Sequence, residues 1–83
     1  MHLEIITPEQ TLFSGQVNSV TVPGAKGSFA VLKNHAPIVS SLSKGIIKYK
    51  SGEAENSLTI PGGFIKVSHN KITICLTSNA CSE

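Results

Sequence analysis

The chain offers few side chains of the kinds that carry out chemistry. It has three histidines, two cysteines and five acidic residues, all of them glutamate, and its seven basic residues are all lysine. Without an aspartate, no Ser-His-Asp relay can orient a histidine, and without an arginine, no planar guanidinium can hold a phosphate or carboxylate at two points. We therefore expect no catalytic residue and no cofactor.

The candidate nucleophiles and acid–base groups each have a simpler structural interpretation. Ser40 and Ser41 follow His35 closely, but the nearest glutamates are distant in sequence, so no acid is at hand to orient the imidazole. Glu53 and Glu55 would share one face if both lay in a strand, but their position beside a turn favours a solvated pair. These patterns indicate a binding or structural module and not an enzyme.

The spacing of cysteine and histidine argues against a metal site. A structural zinc site needs four ligands at close spacing, such as paired Cys-x-x-Cys units. Cys75 and Cys81 do not form such a unit, and the three histidines are scattered along the chain. We expect two reduced thiols and no bound metal.

Charge and glycine patterns give little support for nucleic-acid or nucleotide binding. The net charge is only +2, and aromatic residues make up 5% of the chain. The glycine stretches 24–27 and 61–63 lack P-loop spacing and precede no recognisable helix, so we interpret both as turns. Two alternatives stay open: a small β-barrel that binds nucleic acid or a ligand, and a carrier domain modified at Lys71, although the methionines that usually flank such a lysine are absent.

Short runs rich in Ile, Val and Thr recur along the whole chain, separated by Gly, Pro and Asn, and no segment has sustained helical periodicity. This pattern is typical of an all-β protein. Because each apolar sheet face must be covered, we predict a two-sheet β-sandwich of short, mostly antiparallel strands. The predicted strands span residues 2–6, 11–22, 28–32, 38–42, 47–50, 54–60, 64–67 and 72–76.

Two local irregularities can be read within this strand pattern. Val17 is out of phase with Val20 and Val22, which predicts a bulge or bend near Asn18. The pair His69-Asn70 predicts a two-residue hairpin turn, because asparagine tolerates the left-handed backbone conformation that such turns need.

The chain reads as one domain, residues 1–77, followed by a short polar tail, residues 78–83. No apolar run approaches the roughly 18–20 residues that span a bilayer. The N-terminus has no basic stretch followed by an apolar one, so no signal peptide is visible. We expect a soluble intracellular protein.

Several stretches together resemble the N-terminal domain of the epsilon subunit of F-type ATP synthase. The most specific is Val31–Ile38, which carries a His-Ala-Pro signature. The others, in the family's order and spacing, are Leu3–Glu9, Leu12–Gly15, Ser19–Gly24 with Gly27, Gly45–Ile47 and Gly62–Val67. The resemblance covers nearly the whole chain and implies a two-sheet β-sandwich.

The resemblance also implies a mechanical role and two partners. Such a subunit turns with the central stalk and helps couple ion flow to ATP synthesis, as a peripheral part of the complex on the cytoplasmic face of the bacterial inner membrane. By position, the gamma subunit should contact Thr7, Ser40, Ser41 and Ile46. The polar loops of the rotor ring of c subunits should contact Gly24, Lys26, Ser28, Lys33 and His35.

Two of these residues have further expectations attached. Ile46 is out of phase with Ile47 and Tyr49, so its apolar side chain should be exposed, as at many partner sites. For His35 we favour a structural role, with the imidazole hydrogen-bonded in a turn that Pro37 fixes, over direct contact with the ring.

Family members usually continue into a pair of C-terminal helices that carries an inhibitory switch and, in some members, a nucleotide site. This sequence ends at Glu83, where those helices should begin. We therefore expect the 83-residue chain to lack the intrinsic inhibition of ATP hydrolysis that the helices provide.

Overall fold

The computed structural model describes residues 1–32 and 36–77, and within them the chain forms nine β-strands. In chain order they are β1 His2–Ile6, β2 Thr11–Gln16, β3 Ser19–Gly24, β4 Gly27–Leu32, β5 Ile38–Leu42, β6 Gly45–Ser51, β7 Ala54–Ile60, β8 Gly63–Ser68 and β9 Lys71–Leu76. The predicted all-β class of short, mostly antiparallel strands is confirmed. The parallel pair is β1 with β9.

Hydrogen bonds link the strands into one curled sheet in the order β2-β1-β9-β8-β5-β3-β6-β7, with β4 also paired to β3. The link between β5 and β3 is narrow, a single bridge between Leu42 and Gly24. We call β2-β1-β9-β8-β5 the first half of the sheet and β4-β3-β6-β7 the second half. The two halves also meet through side chains of β2 and β6. The ring of Phe13 on β2 packs against the ring of Tyr49 on β6, with the ring centroids 4.6 Å apart, and this contact helps to close the fold.

The core is built by side chains that alternate along the strands, because successive residues of a strand point to opposite faces. The pattern is clearest in β1, β3 and β9, where every second residue is buried. Such burial of aliphatic side chains is the main stabilising contribution in a domain of this size. The buried apolar residues are Leu3, Ile5, Val17, Val20, Val22, Val31, Leu42, Ile47, Ile60, Ile65, Val67, Ile72, Ile74 and Leu76.

The predicted single strand over residues 11–22 is two strands in the structure. β2 ends at Gln16 and β3 begins at Ser19, with a bend at Asn18, so of the predicted bulge or bend it is the bend that is confirmed. The phase slip at Val17 marks the passage between the two sheet halves. The amide of Val17 donates to the carbonyl of Met1, while that of Asn18 donates to the carbonyl of Lys50. The two residues that connect β2 to β3 therefore form hydrogen bonds with different halves of the sheet.

The turns largely follow the sequence pattern. His69 and Asn70 have φ angles of 43° and 63°, which confirms the predicted two-residue turn between β8 and β9. The turn predicted over residues 24–27 is confirmed in tight form, because β3 continues to Gly24 and β4 begins at Gly27. The predicted polar tail, residues 78–83, lies outside the described residues.

Candidate functional site

A row of side chains crosses the outer face of the first sheet half, the face turned away from the core. The strand register places Ser41 opposite Phe64, Phe64 opposite Cys75, and Cys75 opposite Ile6. We call these four residues the outer row. Four neighbouring strands at about 4.8 Å spacing make the row about 14–15 Å wide. Its most prominent member is Phe64, whose side chain is 48% exposed.

Thr7 directly follows Ile6, but its buried side chain is in phase with Leu3 and Ile5 and not on the outer face, and its hydroxyl is used within the chain. The hydroxyl donates to the carbonyl of Gln10 at 3.0 Å and accepts the amide of Gln10 at 3.1 Å and that of Glu9 at 3.3 Å. Thr7 is buried. The side chain therefore organises the turn between β1 and β2.

Replacing Thr7 with valine should destabilise the domain by about 1–3 kcal/mol, because a nearly isosteric methyl group removes three part-buried hydrogen bonds of the turn. Urea unfolding followed by circular dichroism measures this. Thr11→Val is the matched control, since Thr11 is exposed, and its effect should stay within about 0.5 kcal/mol. Equal stability of the two variants would show that the turn does not depend on the Thr7 hydroxyl.

The other two residues predicted to contact gamma lie off the outer row. Ser40 is opposite the buried Ile65, so its side chain is on the other face of the strand from Ser41, and its hydroxyl donates to the Ser41 carbonyl at 3.2 Å. Ile46 lies in β6, opposite Thr59, on the outer surface of the second half. Its side chain is 50% exposed, which confirms that expectation.

The described residues predicted to contact the rotor ring lie on the β3–β4 hairpin. Gly24, Lys26 and Ser28 border an open groove of about 590 Å³, which we call the hairpin groove. Its opposite wall is formed by residues 38–41 of β5, which include Ser40 and Ser41. The structure thus brings residues predicted for two different partners to one groove. Lys33 and His35, and with them the expected turn role of the imidazole, lie outside the described residues.

Gly24 has a packing reason to be glycine. A Cβ atom there would approach the Phe29 ring to 2.8 Å and the Gly27 carbonyl oxygen to 2.6 Å. Lys26, in contrast, is exposed at the hairpin tip. Of these two residues, Lys26 is the one with a side chain available to a partner.

Phe64 and Val39 were missed by the sequence analysis, although a signal was present. Phe64 is out of phase with Ile65 and Val67, the same criterion that singled out Ile46. Val39 is 69% exposed and lies opposite Lys66, two residues along β5 from Ser41 and on the same face. The outer row and Val39 together form an exposed, partly apolar strip, and such strips often mark partner sites.

Among the described residues, no group of three or more His, Cys, Asp or Glu side chains is placed to hold a metal ion. Nor does this part of the chain contain a helix with the length and apolar character needed to cross a membrane.

Comparison with known proteins settles the family. The family model of the beta-sandwich domain of the ATP synthase Delta/Epsilon chain matches residues 1–81. The chain belongs to this family. It is 37% identical over 83 residues to the ATP synthase epsilon chain of Leptospira borgpetersenii and 41% identical over 83 residues to that of Nitratidesulfovibrio vulgaris strain Miyazaki F. All of this chain is aligned, but it spans only 65% and 62% of those relatives.

Solved structures share the fold of this Delta/Epsilon domain. A chain in the cryo-EM structure of the central stalk and c-ring of the Tetrahymena thermophila mitochondrial ATP synthase superposes with a TM-score of 0.82 at 15% identity, covering 99% of this chain and 66% of that one. A chain in the Euglena gracilis mitochondrial ATP synthase gives 0.86 at 24% identity, covering 95% and 51%. At these identities the likeness concerns the fold alone.

Proposed function

We propose that this chain is a non-catalytic part of the central stalk of a rotary ATP synthase, where it links the gamma subunit to the c ring. Membership of the Delta/Epsilon family and relatives named ATP synthase epsilon chain support the proposal. The observation that carries it is the outer row with the half-exposed Phe64 between its ends, a partly apolar strip on the outer face of the sheet. Such a subunit turns with the stalk and helps couple ion flow to ATP synthesis.

The gamma subunit, in this proposal, covers the outer row. Ser41 and Ile6 lie at the two ends of the row, and Phe64 between them supplies the apolar contact. Thr7 would contact gamma through the turn that follows Ile6. Large aromatic side chains at the centre of an interface carry much of the binding energy when a partner excludes water from them. The interface would extend around β5 and β3 to Ile46.

The rotor ring, in this proposal, contacts the tip of the β3–β4 hairpin. Lys26 projects its charge into solvent there, beside Ser28. A single exposed ion pair contributes only about 0–1 kcal/mol and weakens with salt, so hydrogen bonds at the tip must share the binding. The chain then lies on the cytoplasmic face of the bacterial inner membrane and touches the membrane only through the complex.

A binding titration tests the proposal directly. The 83-residue chain should bind the gamma subunit encoded in the same genome with 1:1 stoichiometry. Nucleic-acid binding through phosphate contacts weakens steeply as the salt concentration rises. The same chain titrated with single-stranded RNA should show no such binding. Salt-sensitive RNA binding without gamma binding would favour a nucleic-acid-binding β-barrel instead.

Replacing Ile46 with glutamate should weaken gamma binding about tenfold, because a charge in a desolvated contact costs more than about 1.4 kcal/mol. Isothermal titration calorimetry measures the change. Leu32→Glu is the matched control: Leu32 is 56% exposed on the outer surface of the same sheet half. Equal affinities of the two variants would remove Ile46 from the interface, and the circular dichroism spectra should match that of the unchanged chain.

A further inference from the structure

A second surface feature lies at the β8–β9 hairpin, apart from the residues assigned to gamma and the ring. It is a shallow hollow of about 400 Å³ lined by Lys66, Ser68, His69, Lys71 and Thr73. We call it the basic hollow. Every side chain in its lining carries a nitrogen or a hydroxyl able to donate a hydrogen bond. None of these described lining residues has an apolar side chain, so the chemistry of the hollow differs from that of the outer row.

The strand register arranges four of these side chains as a square on the outer face. Lys66 is opposite Thr73, and Ser68 is opposite Lys71. The two lysines therefore occupy diagonal corners, and the two hydroxyls occupy the others. Diagonal neighbours lie about 7–8 Å apart, within reach of long side chains. Both ammonium groups can thus converge on one small anion held over the hydroxyls.

The hairpin turn adds a fifth donor at the rim. His69 and Asn70 both adopt left-handed backbone angles, so the turn between the strands is only two residues long. This short turn keeps His69 directly beyond Ser68 and Lys71, where its exposed imidazole borders the hollow. The hollow therefore has donors on its floor and at one end.

The neighbouring strands set the charge balance. On β1, His2 is opposite Lys71 and Glu4 is opposite Thr73, while on β5 Val39 is opposite Lys66. Among the described residues, Glu4 is the carboxylate that the strand register places beside the square. Within residues 1–32 and 36–77, neither lysine forms a salt bridge with a carboxylate. Two unpaired ammonium groups against one glutamate leave the hollow net positive.

We propose that the basic hollow binds a phosphate group. Lys66 and Lys71 supply the charge, and Ser68, Thr73 and His69 donate hydrogen bonds to the remaining oxygens. Charge-assisted hydrogen bonds of this kind are the strongest that a surface site can make to an oxyanion. The proposal goes beyond the stalk function and does not depend on it. The phosphate can come from a free anion or from a phospholipid headgroup.

The first test is a titration of the 83-residue chain with inorganic phosphate, followed by ¹H–¹⁵N NMR at constant ionic strength with chloride as the balancing anion. The amides of residues 66–73 should shift together, with a dissociation constant in the range of about 1 mM. Lys66→Gln and Lys71→Gln should each weaken binding at least about threefold. Lys48→Gln, an exposed strand lysine of the second half, is the matched control and should leave binding unchanged.

The second arm identifies the source of the phosphate. Sedimentation with phosphatidylcholine vesicles that contain phosphatidylglycerol, compared with phosphatidylcholine alone, reports headgroup binding. Loss of vesicle binding in Lys66→Gln and Lys71→Gln, but not in Lys48→Gln, assigns the hollow to lipid headgroups. Phosphate binding without vesicle binding assigns it to a free anion. If the lysine variants bind phosphate and vesicles as the unchanged chain does, or if nothing binds, the proposal is overturned.

Discussion

Replacing Gly63 with alanine is expected to destabilise the domain by at least about 2 kcal/mol, the combined effect of a strained backbone and an overpacked contact. Gly63 has a φ of 155°, a conformation that residues with a Cβ rarely adopt. A Cβ atom there would collide with the carbonyl oxygen of Cys75 on the neighbouring strand. The clash involves backbone, so no side-chain rotation can relieve it.

Urea unfolding measures this effect, with Gly15→Ala as the matched control. Gly15 is also a strand glycine, but a Cβ there would meet only the outer end of the Phe13 ring, at 3.3 Å. The control should lose less than about 1 kcal/mol. Similar losses in the two variants would contradict the close approach of β8 and β9 at Gly63.

Replacing Phe64 with glutamate should weaken gamma binding by at least tenfold, the effect of truncating a hot-spot aromatic residue, about 2 kcal/mol or more. The side chain is 48% exposed, so the fold should tolerate the change. Calorimetric titration against the gamma subunit measures it.

Phe64→Leu is the conservative control for that experiment. It keeps an apolar side chain at the centre of the outer row and should retain affinity within about threefold. If Phe64→Glu binds gamma as tightly as Phe64→Leu does, the outer row is not the gamma contact, and the interface must be sought near Ile46.

The strands could be predicted from the sequence because alternation is a local signal. One buried face forces a period of two, and the clear alternation in β1, β3 and β9 reflects it. The order of the strands could not be predicted in the same way. The parallel pairing of β1 with β9 joins the two ends of the described chain, and nothing in either strand specifies that partner.

The candidate site could be predicted only in part, for reasons that the geometry makes plain. Ser40 and Ser41 are adjacent in one strand, so their side chains point to opposite faces of the sheet. A sequence motif that contains both does not tell which of them faces outward. Thr7 was predicted only as a gamma contact, by position, and nothing in the sequence indicates the three hydrogen bonds that commit its hydroxyl to a turn. The outer row itself depends on register across four strands, which is tertiary information.

The central claim, that the chain links the stalk to the c ring through the β3–β4 hairpin, is tested most directly by cysteine cross-linking in the assembled ATP synthase. Cys75 and Cys81 are first replaced by serine, and a cysteine is placed at Lys26 or, as the control, at Ser51. Ser51 follows Lys50, which pairs with Ser19 at the other end of β3, about 17 Å along the strand from Gly24. We predict that position 26 cross-links to the polar loop of a c subunit and position 51 does not. Cross-linking at position 51 with none at position 26 would contradict the account, because the domain would then face the ring with its opposite end.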